Sequence, residues 1–285
     1  MLYIFLAGIL WGGIGLFVKE LSALGASPDV ICTMRMISAF VIMFAFAFIK
    51  HGKRVILTDK KALFFCALLG IISNGLFNIF YTASIKINGM GIACVLMYTA
   101  PVFTAAASRL IFREKFSGLK IFALTLNIAG CIMTVTGGNL SLSALNFTGL
   151  LMGLGSGFGY GMAAVFGRLA GSRTDSVITS MYSYFFASIF LCVFLRPDFV
   201  PVIDSAKILG WGFLYGLIPT ALAYLIYYDA VSKIHDTSRV PVIASIEPVT
   251  AVLLGLLLYG ENLGLGNFAG MIVVLVSIAL TVKAE

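Results

Sequence analysis

Charged side chains are scarce in this chain of 285 residues: Asp, Glu, Lys and Arg together make up 11%, and only two residues are histidine. Soluble domains carry roughly a quarter charged residues. No Gly-rich phosphate-binding motif occurs, and no set of His, Cys, Asp or Glu has the spacing of a metal site. The five cysteines show no paired spacing that would indicate disulfides or a thiol nucleophile. These absences argue against an intramembrane enzyme, a metalloprotein or an ATP-driven pump, and we expect no cofactor and no metal.

Hydrophobic residues make up 60% of the chain, and the mean hydropathy is +1.05. A membrane-spanning helix needs about 17–25 mostly apolar residues. Val30–Ile49 and Val240–Tyr259 meet this with one charge each, and Ile121–Gly167 is long enough for two helices with a break at Gly137–Thr148. Six more runs have no charge: Leu2–Val18, Ala62–Ile85, Ile87–Ser108, Ser176–Leu195, Ile208–Tyr228 and Asn262–Val282. The sequence predicts an all-α membrane protein with ten transmembrane helices.

The second half of the chain repeats the first. A constant shift of 147 residues, without a gap, places Tyr81–Val135 over Tyr228–Val282 and pairs Pro101 with Pro248. In so apolar a chain, an internal duplication is typical of membrane transporters built from two repeats.

Each half contains five predicted helices. Because this number is odd, the second copy must enter the membrane inverted relative to the first. We therefore predict one five-helix repeat over residues 1–137, a connection over 138–146 and a second, inverted five-helix repeat over 147–285.

Lysine and arginine are unevenly distributed among the connections. Basic connections resist translocation and stay in the cytoplasm. With a cytoplasmic N-terminus, fourteen of the nineteen lie on the cytoplasmic side: Lys50, Lys53, Arg54, Lys60, Lys61, Arg109, Arg113, Lys115, Lys120, Arg168, Arg173, Lys233, Arg239 and Lys283. Both termini are therefore predicted to be cytoplasmic. The same rule explains the formal net charge of +7, so we expect no nucleic-acid partner.

Two related motifs occupy corresponding places in the two halves. Pro-Val-Phe-Thr-Ala at 101–105 is followed by Arg-Glu-Lys at 113–115. Glu-Pro-Val-Thr-Ala-Val-Leu-Leu-Gly at 247–255 is followed by Gly-Glu-Asn at 260–262. With Leu-Trp-Gly at 10–12, these motifs resemble the EamA family of the drug/metabolite transporter superfamily, and the resemblance covers nearly the whole chain.

The resemblance, which includes Arg35 in the second helix, implies inverted five-helix repeats around a central cavity. It also implies movement of amino acids or other small organic metabolites, usually outward, but it names no substrate. The first repeat reads Ala100-Pro101 where the second reads Glu247-Pro248. A coupling scheme with two carboxylates is therefore not supported.

Glu247 lies about midway along the ninth predicted helix. A carboxylate at this depth costs about 2.5–3.5 kcal/mol on insertion scales, so it calls for a partner or a function. Because burial disfavours the charged form, Glu247 could bind and release a proton as the site alternates between two waters. The alternative is a structural anchor, bonded to a backbone amide, a hydroxyl group or Arg35.

Arg35 lies about two turns from the predicted extracytoplasmic end of the second helix. Its guanidinium could snorkel to the interface, pair with Glu247 or hold a substrate carboxylate. If both charges reach a cavity, one positive and one negative group would suit a zwitterion such as an amino acid.

Polar and aromatic side chains complete the predicted substrate cavity. Asn74 and Asn78 lie four residues apart, on one face of the third helix. Amides at this depth need partners, either in a site or on a neighbouring helix. The aromatic candidates are Trp11, Tyr98, Tyr160 and Tyr224.

Pro101 and Pro248 are predicted to break their helices at the cavity. Each proline frees the carbonyl group four residues earlier, on Met97 and Ala244. Lipid cannot satisfy such carbonyls. A packed structural kink is one interpretation, and the symmetric placement in the two repeats favours a cavity-lining role.

Glycines recur at four-residue spacing along the sixth predicted helix, where they allow close backbone approach. They are Gly149, Gly153, Gly157 and Gly161. Homodimerisation is one interpretation, but a shift of 149 places Trp11 on Tyr160 and Gly12 on Gly161, which favours packing within the subunit. Gly171, beyond the stripe, is expected to tolerate a larger side chain.

We therefore predict a secondary transporter of a small organic metabolite in the cytoplasmic membrane of a bacterium, working by alternating access as an exporter. Its partners are the solute, the lipid bilayer and a coupling proton. The alternatives are an importer, an uncoupled facilitator or a membrane assembly protein without transport activity. The pattern does not favour one oligomeric state over another.

Overall fold

A computed structural model describes residues 1–55, 59–88, 90–115, 117–138, 146–200, 205–259 and 264–283. Within these ranges, ten helices are long and apolar enough to cross a membrane. They are α1 (Leu2–Ala23), α2 (Pro28–His51), α3 (Lys60–Ile87), α4 (Ala93–Phe112), α5 (Gly118–Thr136), α6 (Phe147–Gly171), α7 (Ser176–Leu195), α8 (Ala206–Lys233), α9 (Thr237–Leu258) and α10 (Leu265–Lys283). The predicted all-α class and helix count are confirmed. Most of the predicted connection 138–146 lies outside the described residues.

Short polar side chains mark where many of these helices begin. Ser27, Asp59, Ser117, Asn146 and Asp175 each accept a hydrogen bond from a backbone N–H of the first turn that follows. Such caps satisfy N–H groups that have no partner inside the helix. They let a long apolar helix start at a definite residue near the membrane surface.

Two pairs of helices are interrupted at corresponding places in the two halves. The α-helical geometry of α4 stops at Tyr98 and Thr99, and that of α9 stops at Ser245. α3 has a π-helical stretch at Leu69–Leu76, and α8 has one at Leu217–Leu222. Local π-helical turns are frequent at functional sites. The shift of 147 residues relates both pairs.

The helices of the two halves interleave. α6 packs against α3 and α4, while α1 packs against α8 and α9; α2 pairs with α7 and α5 with α10. Exchanging each helix for its counterpart five positions along the chain leaves this packing pattern unchanged. The interior of the bundle is therefore formed jointly by both halves, and their relative orientation across the membrane stays a prediction.

Candidate solute-binding site

The two halves meet in the interior of the bundle through Glu247 and Tyr160. The Tyr160 hydroxyl group on α6 donates a hydrogen bond of 2.6 Å to Oε2 of Glu247 on α9. Glu247 lies in the first turn after the break at Ser245, and its side chain is half-buried. A hydrogen bond to a charged group is among the stronger polar contacts in proteins. The bond also fixes where this carboxylate points.

Aromatic rings extend from Tyr160 across the interior. Trp11 contacts Tyr160 edge-on, with ring centroids 6.0 Å apart, and contacts Tyr224 at 4.8 Å and Tyr227 at 5.0 Å. Phe77 stacks on Tyr160 at 5.7 Å. The indole N–H of Trp11 is buried and has no hydrogen-bond partner among the described residues. Buried donors almost always have an acceptor, so this N–H is an exception in the interior.

Arg35 does not snorkel to the membrane surface. It is only 5% exposed; its Nε donates to the hydroxyl group of Thr220 at 2.9 Å, and its guanidinium carbon lies 5.1 Å from the ring centre of Tyr215. Arg35 interacts electrostatically with Glu247 and with Tyr224, yet it forms no direct ion pair with Glu247. These two ionisable groups therefore share the interior without direct contact.

The remaining predicted cavity residues differ in the partners that their side chains contact. Tyr98, at the break in α4, is buried and interacts electrostatically with Glu247. Asn74 and Asn78 are also buried, but their amide groups donate to backbone carbonyls of their own helix, on Leu69 and Asn74. These bonds stabilise the π-helical stretch of α3. That Asn74 and Asn78 contribute to a substrate site stays a prediction.

The carbonyl groups that the two prolines free lie against glycines of the partner half. A Cβ atom built on Gly157 would lie 3.3 Å from the Met97 carbonyl oxygen, and one on Gly8 would lie 2.6 Å from that of Ala244. Any larger residue would push these backbones apart. The glycine stripe of α6 and the break in α4 are thus parts of one close helix contact, which α1 and α9 repeat.

The other stripe glycines also pack within the subunit. Gly161 lies against the Ala100 carbonyl group, Gly153 lies against Leu96, and the Gly149 carbonyl group accepts a hydrogen bond of 3.0 Å from Ser84. The expectation for Gly171 is wrong. It is the last residue of α6, and a Cβ atom there would collide with Ser232 on α8.

Sequence reasoning missed the network around Asn127. This buried amide on α5 donates to the hydroxyl group of Ser277 on α10 at 2.9 Å and to that of Ser245. Ser245 lies at the break of α9, two residues before Glu247. Asn127 therefore links the peripheral pair α5–α10 to the turn that positions Glu247. The sequence feature that could have revealed this network is Asn127 itself, the single amide side chain in the largely apolar helix α5.

Two cavities among the described residues lie away from Glu247. One, of about 230 Å³, lies between α4, α5, α9 and α10 and includes Lys120 and Arg239 in its wall. The other, of about 260 Å³, includes Lys50 and Asp229. Among the described residues, no group of three His, Cys, Asp or Glu side chains is placed to hold a metal ion. The candidate site therefore rests on the cluster of ionisable and aromatic side chains around Glu247.

A bundle of ten apolar helices with ionisable groups in its interior defines a multi-pass membrane protein. The chain belongs to the EamA-like transporter family, whose model matches residues 1–136 and 147–283. The predicted family is thereby confirmed, and the protein is a membrane transporter.

Two similar proteins match this chain over most of their own length. The uncharacterized inner membrane transporter YicL of Salmonella typhimurium is 24% identical, over 98% of this chain and 94% of its own. The uncharacterized inner membrane transporter YedA of Escherichia coli is 28% identical, over 95% of this chain and 87% of its own. Both names agree with the predicted location in the cytoplasmic membrane.

One solved crystal structure resembles the fold closely. Its TM-score is 0.83 with 14% identical residues, and the match covers 100% of this chain and 98% of the other. At this identity the likeness shows the fold alone.

Proposed function

We propose that this protein is a secondary transporter, not an enzyme, that exports a small organic metabolite across the cytoplasmic membrane by alternating access. The solute class is an amino acid or a related zwitterion, and Glu247 is the proton-binding group. The observation that carries the proposal is the 2.6 Å hydrogen bond from Tyr160 to Glu247. It joins helices of both halves at an ionisable group deep in the membrane, where such groups are functional more often than not.

The chemistry of the cluster supports a zwitterionic solute. Glu247 offers a negative charge to an ammonium group, which aromatic faces such as those of Tyr160 and Trp11 also attract. Arg35 and the unpartnered Trp11 N–H offer donors to a carboxylate. Because Arg35 and Glu247 form no direct ion pair, a substrate does not have to break one before it binds.

Competition for Glu247 would couple the solute to a proton. A protonated carboxyl group loses the negative charge that attracts the ammonium group, so proton and substrate bind to alternative forms of the same side chain. If the protein can alternate between its two open states both with the proton bound and with the solute bound, proton entry drives solute exit. This mechanism needs one carboxylate, in agreement with Ala100 at the corresponding position of the first repeat.

The test uses purified protein in vesicles, a panel of amino acids and related solutes, and an imposed pH gradient. Glu247→Gln keeps the shape of the side chain but cannot titrate, so we expect gradient-driven transport to be lost while substrate binding and substrate-for-substrate exchange survive. Tyr160→Phe removes the hydrogen bond but leaves the carboxyl group, so its transport should remain pH-dependent. A stable Glu247→Gln variant with a full response to the gradient would refute the proton-carrier role.

The same assay separates the alternatives. Transport that ignores the gradient in the unmodified protein would identify a facilitator, and accumulation in the opposite direction would identify an importer. If Glu247→Gln mainly lowers the folded yield or the melting temperature, Glu247 is a structural anchor. Absence of transport across the whole panel would favour an assembly role.

A further inference from the structure

Glu114 binds the first turn of a helix from the other half of the chain. It lies after α4, and its Oε1 and Oε2 accept hydrogen bonds of 2.8 and 3.3 Å from the backbone N–H groups of Thr237 and Ser238, where α9 begins. Arg168, near the end of α6, donates to Glu114 at 2.7 Å and to the Thr237 hydroxyl group at 2.6 Å. A helix N-terminus favours a negative charge. Glu114 therefore joins α4, α6 and α9 at one end of the bundle.

Asp236 extends this group of charges. Its carboxylate accepts bonds of 2.7 Å from Lys120 and 2.7 Å from Arg239. Partial burial acts to raise the pKa of Asp236, but hydrogen bonds, led by those from Lys120 and Ser238, outweigh it and hold this pKa well below its usual range. We call the set the cytoplasmic ion-pair cluster. It comprises Glu114, Lys120, Arg168, Asp236 and Arg239.

Burial distinguishes this cluster from another ion pair at the same surface. The side chains of Glu114 and Lys120 are 8% and 11% exposed, whereas Lys50 and Asp175, which join α2 to α7, are 46% and 37% exposed. Exposed pairs contribute little to stability. Removing one partner of a buried pair leaves a charge without compensation. The Lys50–Asp175 pair is therefore a matched control for the cluster.

The cluster lies between the candidate site and the predicted cytoplasmic surface. Arg168 follows Tyr160 by eight residues on α6, and Thr237 precedes Glu247 by ten residues on α9. At the helical rise these separations are about 12 and 15 Å. The helices that meet at Tyr160 and Glu247 thus meet again at the cluster, and a solute that enters the site from the cytoplasm must pass between them.

We propose that the cytoplasmic ion-pair cluster is the cytoplasmic gate of the transporter and that Glu114 is the residue that keeps it closed. The inference rests on the proposed alternating access. Each opening towards the cytoplasm separates Glu114 from the N-terminus of α9 and from Arg168. Loss of the Glu114 charge shifts the equilibrium towards the cytoplasm-open form, because the closed form alone contains these bonds.

The native cysteines provide the readout. Cys94 interacts electrostatically with Glu247 and lies beside Tyr81 and Tyr98, whereas Cys66 is fully buried on α3. Vesicles of each orientation are treated with a membrane-impermeant thiol reagent, and mass spectrometry measures the labelling of each cysteine. Cys94 then reports opening of the site, and Cys66 reports unfolding.

Glu114→Gln should raise cytoplasmic labelling of Cys94 about tenfold, the shift expected when roughly one charge-assisted hydrogen bond is lost. Labelling of Cys66, and labelling of Cys94 from the opposite side, should not rise. Asp175→Asn, which removes an exposed charge at the same surface, should leave all three rates unchanged.

Unchanged labelling of Cys94 in a folded Glu114→Gln protein would overturn the proposal. If that variant does not fold, Lys120→Gln, which removes the cation that pairs with Asp236, should raise labelling of Cys94 in the same way but to a smaller extent. If Cys66 becomes accessible in both variants, the cluster is a structural anchor and the proposal is wrong. Labelling needs no transported solute, so failure to find a substrate would count against the proposed function without deciding the gate.

Discussion

Enlarging Gly157 by one methyl group should weaken the contact between α6 and α4. A Cβ atom there would lie 2.8 Å from the Leu96 carbonyl oxygen and 3.3 Å from that of Met97. A neighbouring backbone cannot yield as a flexible side chain can, and overpacking of this kind costs about 1–3 kcal/mol. Alanine also favours a helix over glycine by about 1 kcal/mol. The packing cost is therefore best measured by comparison with a second Gly→Ala substitution, one that raises helix propensity but creates no new contact.

Gly210 on α8 provides this comparison. It is exposed, and a Cβ atom there meets nothing within 4 Å. Gly210→Ala should keep or raise the melting temperature of the purified protein in detergent, while Gly157→Ala should lower it relative to Gly210→Ala. The difference should be a few degrees, since about 1 kcal/mol corresponds to roughly 2–4 °C in proteins of 150–250 residues. Transport by the Gly157→Leu variant should be much lower than transport by the Gly157→Ala variant, because leucine is larger than alanine.

The corresponding contact in the other half provides a second comparison. A Cβ atom on Gly8 would lie 2.6 Å from the Ala244 carbonyl oxygen, so Gly8→Ala should resemble Gly157→Ala in both assays. Equal melting temperatures and equal transport for Gly157→Ala and Gly210→Ala would show that close backbone approach at the stripe is incidental.

Three further predictions concern orientation, Arg35 and Asn127. Reporter fusions after Lys53 and Arg173 should report the cytoplasm and a fusion within 139–146 the outside; a cytoplasmic signal from the third fusion would refute the inversion of the repeats. Arg35→Gln should weaken apparent affinity chiefly for carboxylate-bearing solutes, whereas a uniform loss for all solutes would assign Arg35 to folding. Asn127→Leu should destabilise the protein by about 1–3 kcal/mol, because the hydroxyl groups of Ser245 and Ser277 lose the amide N–H from which they accept, and an unchanged melting temperature would contradict this account of the network.

Local features of the sequence were enough to predict the helices and the family. Helix number follows from the length and spacing of apolar runs, because each span must bury its own backbone polar groups in lipid. The duplication is visible as identities at a fixed shift, such as Pro101 with Pro248. Glu247 and Arg35 were identifiable because ionisable groups are rare in spans.

Packing decided which of the candidate residues meet. Tyr160 and Glu247 are 87 positions apart in the chain, and Arg35 and Thr220 are 185 apart, so no local pattern could pair them. From the sequence alone, the Arg35 side chain could have extended to the membrane surface. In the structure, the hydroxyl group of Thr220 and the ring of Tyr215 keep its guanidinium in the interior of the bundle. Gly171 was misjudged because its neighbour comes from α8.

What the sequence by itself determined, then, is the set of spans, their duplication and the residue types placed within the membrane, since each depends on the residues of one segment and its solvent. The tertiary structure alone decided that Met97 and Ala244 carbonyl groups lie against glycines of the opposite half. It also decided that Glu114 caps α9. Such contacts depend on how helices from the two halves interleave, which the polarity of any one helix does not encode.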